Sequence, residues 1–244
     1  MKKHSLSLFP RRGRLADEVR RVGGRVLPRA PFAPLLCAAV LLLPAAPAAA
    51  HPHVWVDVQT TLVVDEQGRL AAIEEHWTFD EFYTVFATED FDTNGDGTFG
   101  EPELKALTEV NLDSLAEWDF FSEAATAAGP VPLGAPINAR STYEDGRLAL
   151  HFTLPVADPV ATPVTVKIYD PTYYVSFDFL EKNHAKMAGA GAERCDIEIA
   201  KPDAEEVYLT LPESFFNDPD QARIGERFAS QVRLVCETTT GALR

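Results

Sequence analysis

Apolar and polar residues alternate along much of the chain, which is the pattern of β-strands that bury one face. Residues 54–64 and 70–79 alternate most clearly, and the turn residues 65–68 lie between them, so this region predicts an antiparallel hairpin. Further strands are predicted where short apolar runs lie between proline and glycine residues. These runs are 148–156, 164–169, 173–179, 197–199 and 232–236. A helix is predicted over 220–228, and the stretch around Val207 is ambiguous.

The hydrophobic period changes to three and four residues between positions 79 and 118. This spacing predicts two amphipathic helices, separated by a polar stretch at 92–103. The apolar positions are Phe79, Phe82, Tyr83, Phe86 and Phe91 before the polar stretch, and Leu104, Leu107, Leu115 and Trp118 after it. The expected fold class is therefore α+β: a mainly antiparallel β domain with an inserted helical hairpin at about 80–122.

The polar stretch reads Asp-Thr-Asn-Gly-Asp-Gly-Thr-Phe-Gly-Glu-Pro-Glu, which has the residue types of an EF-hand calcium loop. Such a loop takes oxygen ligands from positions one, three, five, seven and twelve, and glycine at position six permits its sharp turn. Those ligand positions are Asp92, Asn94, Asp96, Thr98 (through its carbonyl) and Glu103. The sequence thus predicts an EF-hand that binds calcium. A solvated Asn-Gly/Asp-Gly turn is the alternative.

The N-terminal 50 residues have the composition of a secretory signal peptide. A basic lead is followed by an apolar run at 33–43 and then by small residues that suit cleavage near Ala50. The run is too short to span a bilayer as a retained helix. We therefore expect a single periplasmic domain at 51–244, and the sequence leaves the export route open.

After residue 50 the chain has 13 Lys or Arg against 35 Asp or Glu, a net charge of −22. Such an acidic surface repels nucleic acid and attracts metal cations. Two cysteines remain in this part, Cys195 and Cys236. An even pair in an oxidising compartment predicts a disulfide, and two separate buried thiols are the alternative.

Cleavage near Ala50 would place an α-amine and the imidazoles of His51 and His53 within three residues. These nitrogens suit nickel, cobalt or copper when they are neutral. Pro52 has no amide proton, which excludes a square-planar site that uses that backbone nitrogen. Further ligands would come from the fold, and His76 is a candidate because its predicted strand pairs with the one that His53 begins. Alternatively, His53 simply opens a strand and His76 is a core histidine.

Four segments together resemble a bacterial periplasmic family of unknown function, described as the periplasmic component of an uncharacterised ABC-type transport system. They are 51–57 (His-Pro-His-Val-Trp-Val-Asp), 75–82 (Glu-His-Trp-Thr-Phe-Asp-Glu-Phe), 91–97 and 169–174 (Tyr-Asp-Pro-Thr-Tyr-Tyr). The resemblance extends over residues 51–240. It implies an accessory role beside a nickel/cobalt-type permease of the inner membrane. It also implies that His51, His53 and Asp57 handle metal.

These patterns favour an exported calcium-binding protein that serves a metal transport system. Two alternatives stay open: a calcium-stabilised interaction module without a transition-metal site, and a copper-dependent secreted enzyme. The sequence lacks a Gly-x-Ser-x-Gly elbow and a His-Glu-x-x-His motif, so we expect a protein that is not an enzyme.

Overall fold

A computed structural model describes residues 52–179, 185–211 and 223–237. The predicted signal peptide and His51 lie outside these residues. The described chain forms two β-sheets, and strands are numbered below in chain order.

The larger sheet begins with the predicted hairpin, in which β1 (Val54–Val64) pairs antiparallel with β2 (Arg69–Phe79). On one side β2 pairs with β6 (Arg147–Ala161), which pairs in turn with β5 (Ile137–Glu144). On the other side β1 pairs in parallel with β8 (Val175–Asp178) and β9 (Ala185–Ala188). The hairpin predicted from the alternating pattern is confirmed and lies at the centre of this sheet.

The smaller sheet has five strands in the order β10, β11, β7, β3, β4. Their bounds are β3 Ser122–Thr126, β4 Gly129–Val131, β7 Val164–Ile168, β10 Cys195–Ala200 and β11 Gln231–Cys236. Cys195 and Cys236 face each other across β10 and β11 with Cα atoms 3.9 Å apart, and a disulfide joins them.

One hydrophobic core lies between the two sheets and takes inward side chains from both. Alternate residues of β1 are buried, as the period of two requires. Trp77 of the larger sheet contacts Phe152 edge to face at 4.8 Å and packs at the same distance on Phe177. Phe177 also contacts Phe121, which immediately precedes β3, at 5.5 Å. The sheets therefore form a single two-layer body.

Three α-helices lie in the described residues: α1 (Glu81–Thr88), α2 (Glu101–Leu115) and α3 (Ala204–Thr210). Short 3₁₀ segments cover Ala116–Phe121, Ala192–Arg194 and Ile224–Phe228. Asp80 caps α1 by accepting a hydrogen bond from the Tyr83 amide at 2.9 Å. Mostly antiparallel strands with few helices confirm the α+β class. Residues 81–115, where α1 and α2 flank the loop of residues 92–103, keep below the name hairpin segment from the sequence prediction, and the loop is called the acidic loop.

Some expectations from the sequence need correction. The ambiguous stretch around Val207 is helical, and the described part of the predicted helix 220–228 is only a 3₁₀ segment. Strands β3, β4, β5 and β9 escaped prediction. Segments such as Ser-Glu-Ala-Ala-Thr in β3 and Ala-Lys-Met-Ala in β9 are short and lack a strong apolar alternation.

The apolar face predicted for the first helix is only partly buried, because Tyr83 and Phe91 pack against the core whereas other apolar residues face outward. Phe82, Val85 and Phe86 are 87%, 68% and 63% exposed, whereas Thr84 and Thr88 are buried. The Thr84 hydroxyl accepts a hydrogen bond from the Leu148 amide at 3.1 Å. The face of α1 that carries the threonines therefore packs on β6, where the Leu148 amide donates to Thr84.

Candidate functional site

Asp92 organises the first half of the acidic loop through hydrogen bonds to three backbone amides. Its Oδ1 accepts from Gly95 N at 2.8 Å and from Asp96 N at 3.1 Å, and its Oδ2 accepts from Gly97 N at 2.9 Å. Gly95 and Gly97 have φ angles of 71° and 73°. Residues with a Cβ rarely adopt such angles, so glycine is needed at both turns.

The next two side chains extend this local network. Asn94 Oδ1 accepts from Asp96 N at 2.8 Å, and Asp96 Oδ1 accepts from the amide and hydroxyl of Thr98 at 2.8 and 2.7 Å. The hydrogen bonds from Thr98 lower the pKa of Asp96 below its usual value. Asp96 is therefore fully charged at neutral pH.

Glu103 closes the loop from the first turn of α2. Its Oε1 accepts from the amide and hydroxyl of Thr93 at 2.9 and 2.8 Å, and its Oε2 accepts from Gly100 N at 2.8 Å. The bonds from Gly100 and Thr93 lower the pKa of Glu103. One carboxylate thus ties loop positions two and nine to position twelve.

All five predicted calcium ligands lie on this loop, and their chemistry is that of a hard-cation site. In this conformation, however, the carboxylate oxygens accept hydrogen bonds from backbone amides and hydroxyls of the loop. Within residues 52–179, 185–211 and 223–237, no three acidic, histidine or cysteine side chains are grouped closely enough to hold one metal ion.

The residues predicted to bind a transition metal are dispersed. His53 donates its backbone N–H to the Tyr174 carbonyl at 2.9 Å, and its ring lies 4.8 Å from the Tyr174 ring. Asp57 accepts a hydrogen bond from Arg147 Nη1 at 2.8 Å, so its carboxylate is engaged in an ion pair. His51 lies outside the described residues.

The β1–β2 register also separates His76 from His53. His76 lies opposite Gln59, which is six residues from His53 along β1 and therefore about 20 Å away. The expectation that His76 completes a site with His53 is wrong for this reason. The strands do pair as predicted, but an antiparallel turn places His76 beside the far half of β1.

His76 instead stacks on His151, with ring centroids 4.1 Å apart and planes inclined by 25°. The two residues are direct cross-strand partners on β2 and β6, and Arg140 of β5 lies opposite His151. They line an open groove of about 370 Å³ on the outer face of the larger sheet, together with Lys186 of β9. Burial, His76 and Arg140 lower the pKa of His151 to about 4. This grouping was missed because it depends on residues up to 110 positions apart, His76 and Lys186, in a sequence of 244.

Glu75 lies on the opposite, inner face of the larger sheet. It is 2% exposed, and its Oε2 accepts from Thr60 Oγ1 at 2.9 Å and from Trp77 Nε1 at 3.0 Å. Its Oε1 has no hydrogen-bond partner. Burial raises the pKa of Glu75 to about 8, because a carboxylate charge is poorly solvated there.

A larger groove of about 1010 Å³ runs along the smaller sheet. Its central charges compensate one another: Arg223 binds Glu123 at 2.7 Å and Glu226 at 3.1 Å, and Lys167 binds Glu226 at 2.7 Å. These side chains form a closed surface network. The network therefore accounts for the charges in that groove without a ligand.

Across the described residues, no helix has the length and apolar content that a membrane span requires.

Two curated proteins are similar to this chain. An uncharacterized protein of Haemophilus influenzae is 27% identical over 201 residues, which is 77% of this chain and 92% of the relative. An uncharacterized 15.5 kDa protein in the trpE 3′ region of Spirochaeta aurantia is 27% identical over 92 residues, covering 37% of this chain and 66% of that relative. The first relative thus matches nearly along its whole length.

The family model described as "Protein of unknown function (DUF1007)" matches residues 36–236. That range includes the acidic loop, the histidine pair and both cysteines of the disulfide, and it is well over half of the sequence. The chain therefore belongs to the DUF1007 family.

Proposed function

We propose that the acidic loop, Asp92 to Glu103, binds a calcium ion. The observation that carries the proposal is the hub at Asp92, whose carboxylate accepts from the Gly95, Asp96 and Gly97 amides. This arrangement already turns the backbone where an EF-hand loop must turn. Because the turn is already ordered without the ion, calcium binding should cost little further conformational entropy.

Calcium binding would draw the remaining oxygens inward. Asp92, Asp96 and Glu103 carry three negative charges, and a dication would relieve their mutual repulsion. Glu103 would exchange its hydrogen bonds with Thr93 and Gly100 for bidentate contact with the ion. The Thr98 carbonyl and the Asn94 side chain would complete the oxygen set. Exported modules of this kind bind calcium at about 10⁻⁴ to 10⁻³ M.

We further propose that the protein acts in the periplasm as a metal-binding accessory of a transport system, with an inner-membrane nickel/cobalt-type permease as its partner. Its acidic composition after residue 50 and its disulfide support an exported, cation-binding role. On this proposal the chain binds ions and does not catalyse a reaction. If nickel, cobalt and copper all fail to bind, the role reduces to that of a calcium-stabilised interaction module.

The calcium proposal is tested by calorimetry on residues 51–244 with Glu103→Gln and, as a matched control, Glu101→Gln. Both changes remove one charge from the first turn of α2, but only Glu103 occupies loop position twelve. We expect Glu103→Gln to weaken calcium binding at least ~10-fold, or about 1.4 kcal/mol. Glu101→Gln should have a much smaller effect. Equal affinities in the two variants would overturn the proposal.

We propose that nickel, cobalt or copper binds through the N-terminal amine, His51 and His53. In a nickel titration of residues 51–244, His53→Ala should lower the affinity for nickel. His76→Ala is the control, because the strand register holds His76 about 20 Å from His53. Because the nitrogen ligands must be deprotonated, binding should also weaken as the pH falls through about 6. Equal nickel affinity in parent and His53→Ala would contradict this site.

A further inference from the structure

Four polar side chains form a straight row across the outer face of the larger sheet. Arg140 of β5 lies opposite His151 of β6, His151 opposite His76 of β2, and His76 opposite Gln59 of β1. With strands about 4.8 Å apart, the row extends roughly 14 Å. Lys186, opposite Thr61, projects from β9 beyond the end of the row and lines the same groove.

The groove reverses the charge of the surrounding surface. Arg140 and Lys186 are two fixed positive charges, and Glu74 is the one exposed acidic residue that lines the groove with them. Seven other Lys or Arg side chains in the described residues have a carboxylate within 4 Å. Within the same ranges, Arg140 and Lys186 form no such ion pair. With two cations and one exposed carboxylate, the lining of this groove is more positive than negative, in a part of the chain whose net charge is −22.

The hydrogen bonds of His151 disfavour a cation as the occupant. Arg140 Nη2 lies 3.4 Å from His151 Nδ1, and because a guanidinium can only donate, Nδ1 must supply the lone pair. His151 Nε2 then carries the proton and donates to Thr142 Oγ1 at 3.2 Å. The lone pair that a metal ion would need already faces a positive charge.

We propose that this groove binds a small anion carrying a carboxylate or phosphate group, held by Arg140 beside the His76–His151 pair, with Lys186 at the far end of the groove adding to its positive potential. A planar guanidinium suits both anions because it can donate two parallel hydrogen bonds. The volume of about 370 Å³ matches the lower end of small-ligand sites. None of the residues that line the groove belongs to the acidic loop, so this proposal does not rest on calcium binding.

Anion binding in the groove should be coupled to proton uptake. The groups that face the histidine pair are Arg140 from β5, Glu74 from β2 and Lys186 from β9, while β1 contributes only neutral side chains. Arg140 and His76 help to keep His151 neutral, and a bound anion would offset their effect. Affinity should therefore rise several-fold as the pH falls from neutral towards 5.

The test uses residues 51–244 with succinate and, separately, inorganic phosphate as probes, followed by NMR of the histidine ring protons and by calorimetry. Arg140→Ala should weaken binding of the preferred probe about 10-fold. Arg233→Ala is the matched control, since it removes an exposed arginine that pairs with Glu198 on the smaller sheet. Both changes are at exposed positions, and circular dichroism will verify that each variant is folded.

Saturable binding of either probe that shifts the His76 and His151 signals, and that only Arg140→Ala weakens, would establish the site. A preference for phosphate or for succinate would identify the anionic group. Failure of both probes to saturate at millimolar concentrations would overturn the proposal. Equal weakening by the two arginine variants would overturn it too, because binding would then follow net charge. If nickel, and neither anion, binds saturably and shifts the His76 and His151 signals, the groove is a metal site and the anion proposal is wrong.

Discussion

Two glutamates with similarly low exposure illustrate how the hairpin segment differs from the two-sheet body. Glu103 is 8% exposed and Glu75 is 2% exposed, yet the pKa of Glu103 is lowered whereas that of Glu75 is raised to about 8. In the hairpin segment, three donors from Thr93 and Gly100 serve both oxygens of Glu103. In the body, two donors serve one oxygen of Glu75 and the other has none. Deep burial thus raises the pKa of Glu75 despite its two donors, whereas the donors from Gly100 and Thr93 dominate at the less buried carboxylate of Glu103 and keep it charged.

The hairpin segment and the two-sheet body also differ in how far apart along the sequence their contacting residues lie. Hydrogen bonds within the acidic loop join residues at most ten positions apart, whereas the body is closed by β-pairing and a disulfide between distant segments. The loop can therefore keep its geometry when the body is weakened. The outer groove of the larger sheet cannot, because it exists only while five strands stay in register.

The disulfide provides the strongest test of this separation. Replacing Cys195 and Cys236 together by alanine should lower the free energy of unfolding by about 4 kcal/mol, because the unfolded chain is no longer constrained over 41 residues. Urea denaturation would measure the loss. The calcium affinity of the loop should stay unchanged below the unfolding transition. A parallel loss of calcium affinity would show that the hairpin segment depends on the body.

The buried glutamate should make the body less stable as the pH rises. Because the pKa of Glu75 is raised, the folded state holds a proton that the unfolded state releases near pH 4.5. The stabilisation is complete below that value and is lost as the pH rises to about 8. Between pH 6 and pH 8 the loss should be about 2 kcal/mol. Glu75→Gln should abolish this dependence, whereas Glu74→Gln, an exposed neighbour, should retain it. Identical pH profiles in the two variants would contradict the account.

The exposed face of α1 should contribute little to stability compared with its threonine face. Thr84→Val should cost about 1–3 kcal/mol, because it leaves the buried Leu148 amide without its acceptor. Phe82→Ser should change the free energy of unfolding by less than about 0.5 kcal/mol, since Phe82 is 87% exposed. Thermal denaturation of both variants would measure the difference. A larger loss for Phe82→Ser would mean that the phenylalanine face is covered.

The pKa of Glu103 should be shifted in the opposite direction to that of Glu75. The hydrogen bonds from Gly100 and Thr93 lower its pKa, so they stabilise the fold above the unfolded value and are lost as the pH falls through the folded one. The carboxyl carbon of Glu103 should accordingly have an NMR titration midpoint below 4.5. A midpoint above that value would remove the contrast between the two glutamates.

These regions also differ in how far the sequence alone predicts them. The β1–β2 hairpin and the loop depend on period and turn chemistry, which can be read from neighbouring residues. The orientation of α1 could not be predicted, since it depends on a backbone amide supplied by Leu148. The pairing of His76 with His151, in place of His53, required the strand register and the order of strands in the sheet. Contacts between distant segments were the part that local patterns could not supply.

The central claim, that calcium binds at the acidic loop, is tested most directly by following amide signals of residues 51–244 during calcium titration. The Gly97 amide donates to Asp92 Oδ2, so calcium at Asp92 should shift its signal in a saturable way. The ring signals of His76 and His151 should stay in place, because they lie on the outer face of the larger sheet. A saturating shift at Gly97 that Glu103→Gln weakens is the predicted result. An unmoved Gly97 signal at millimolar calcium would contradict the assignment.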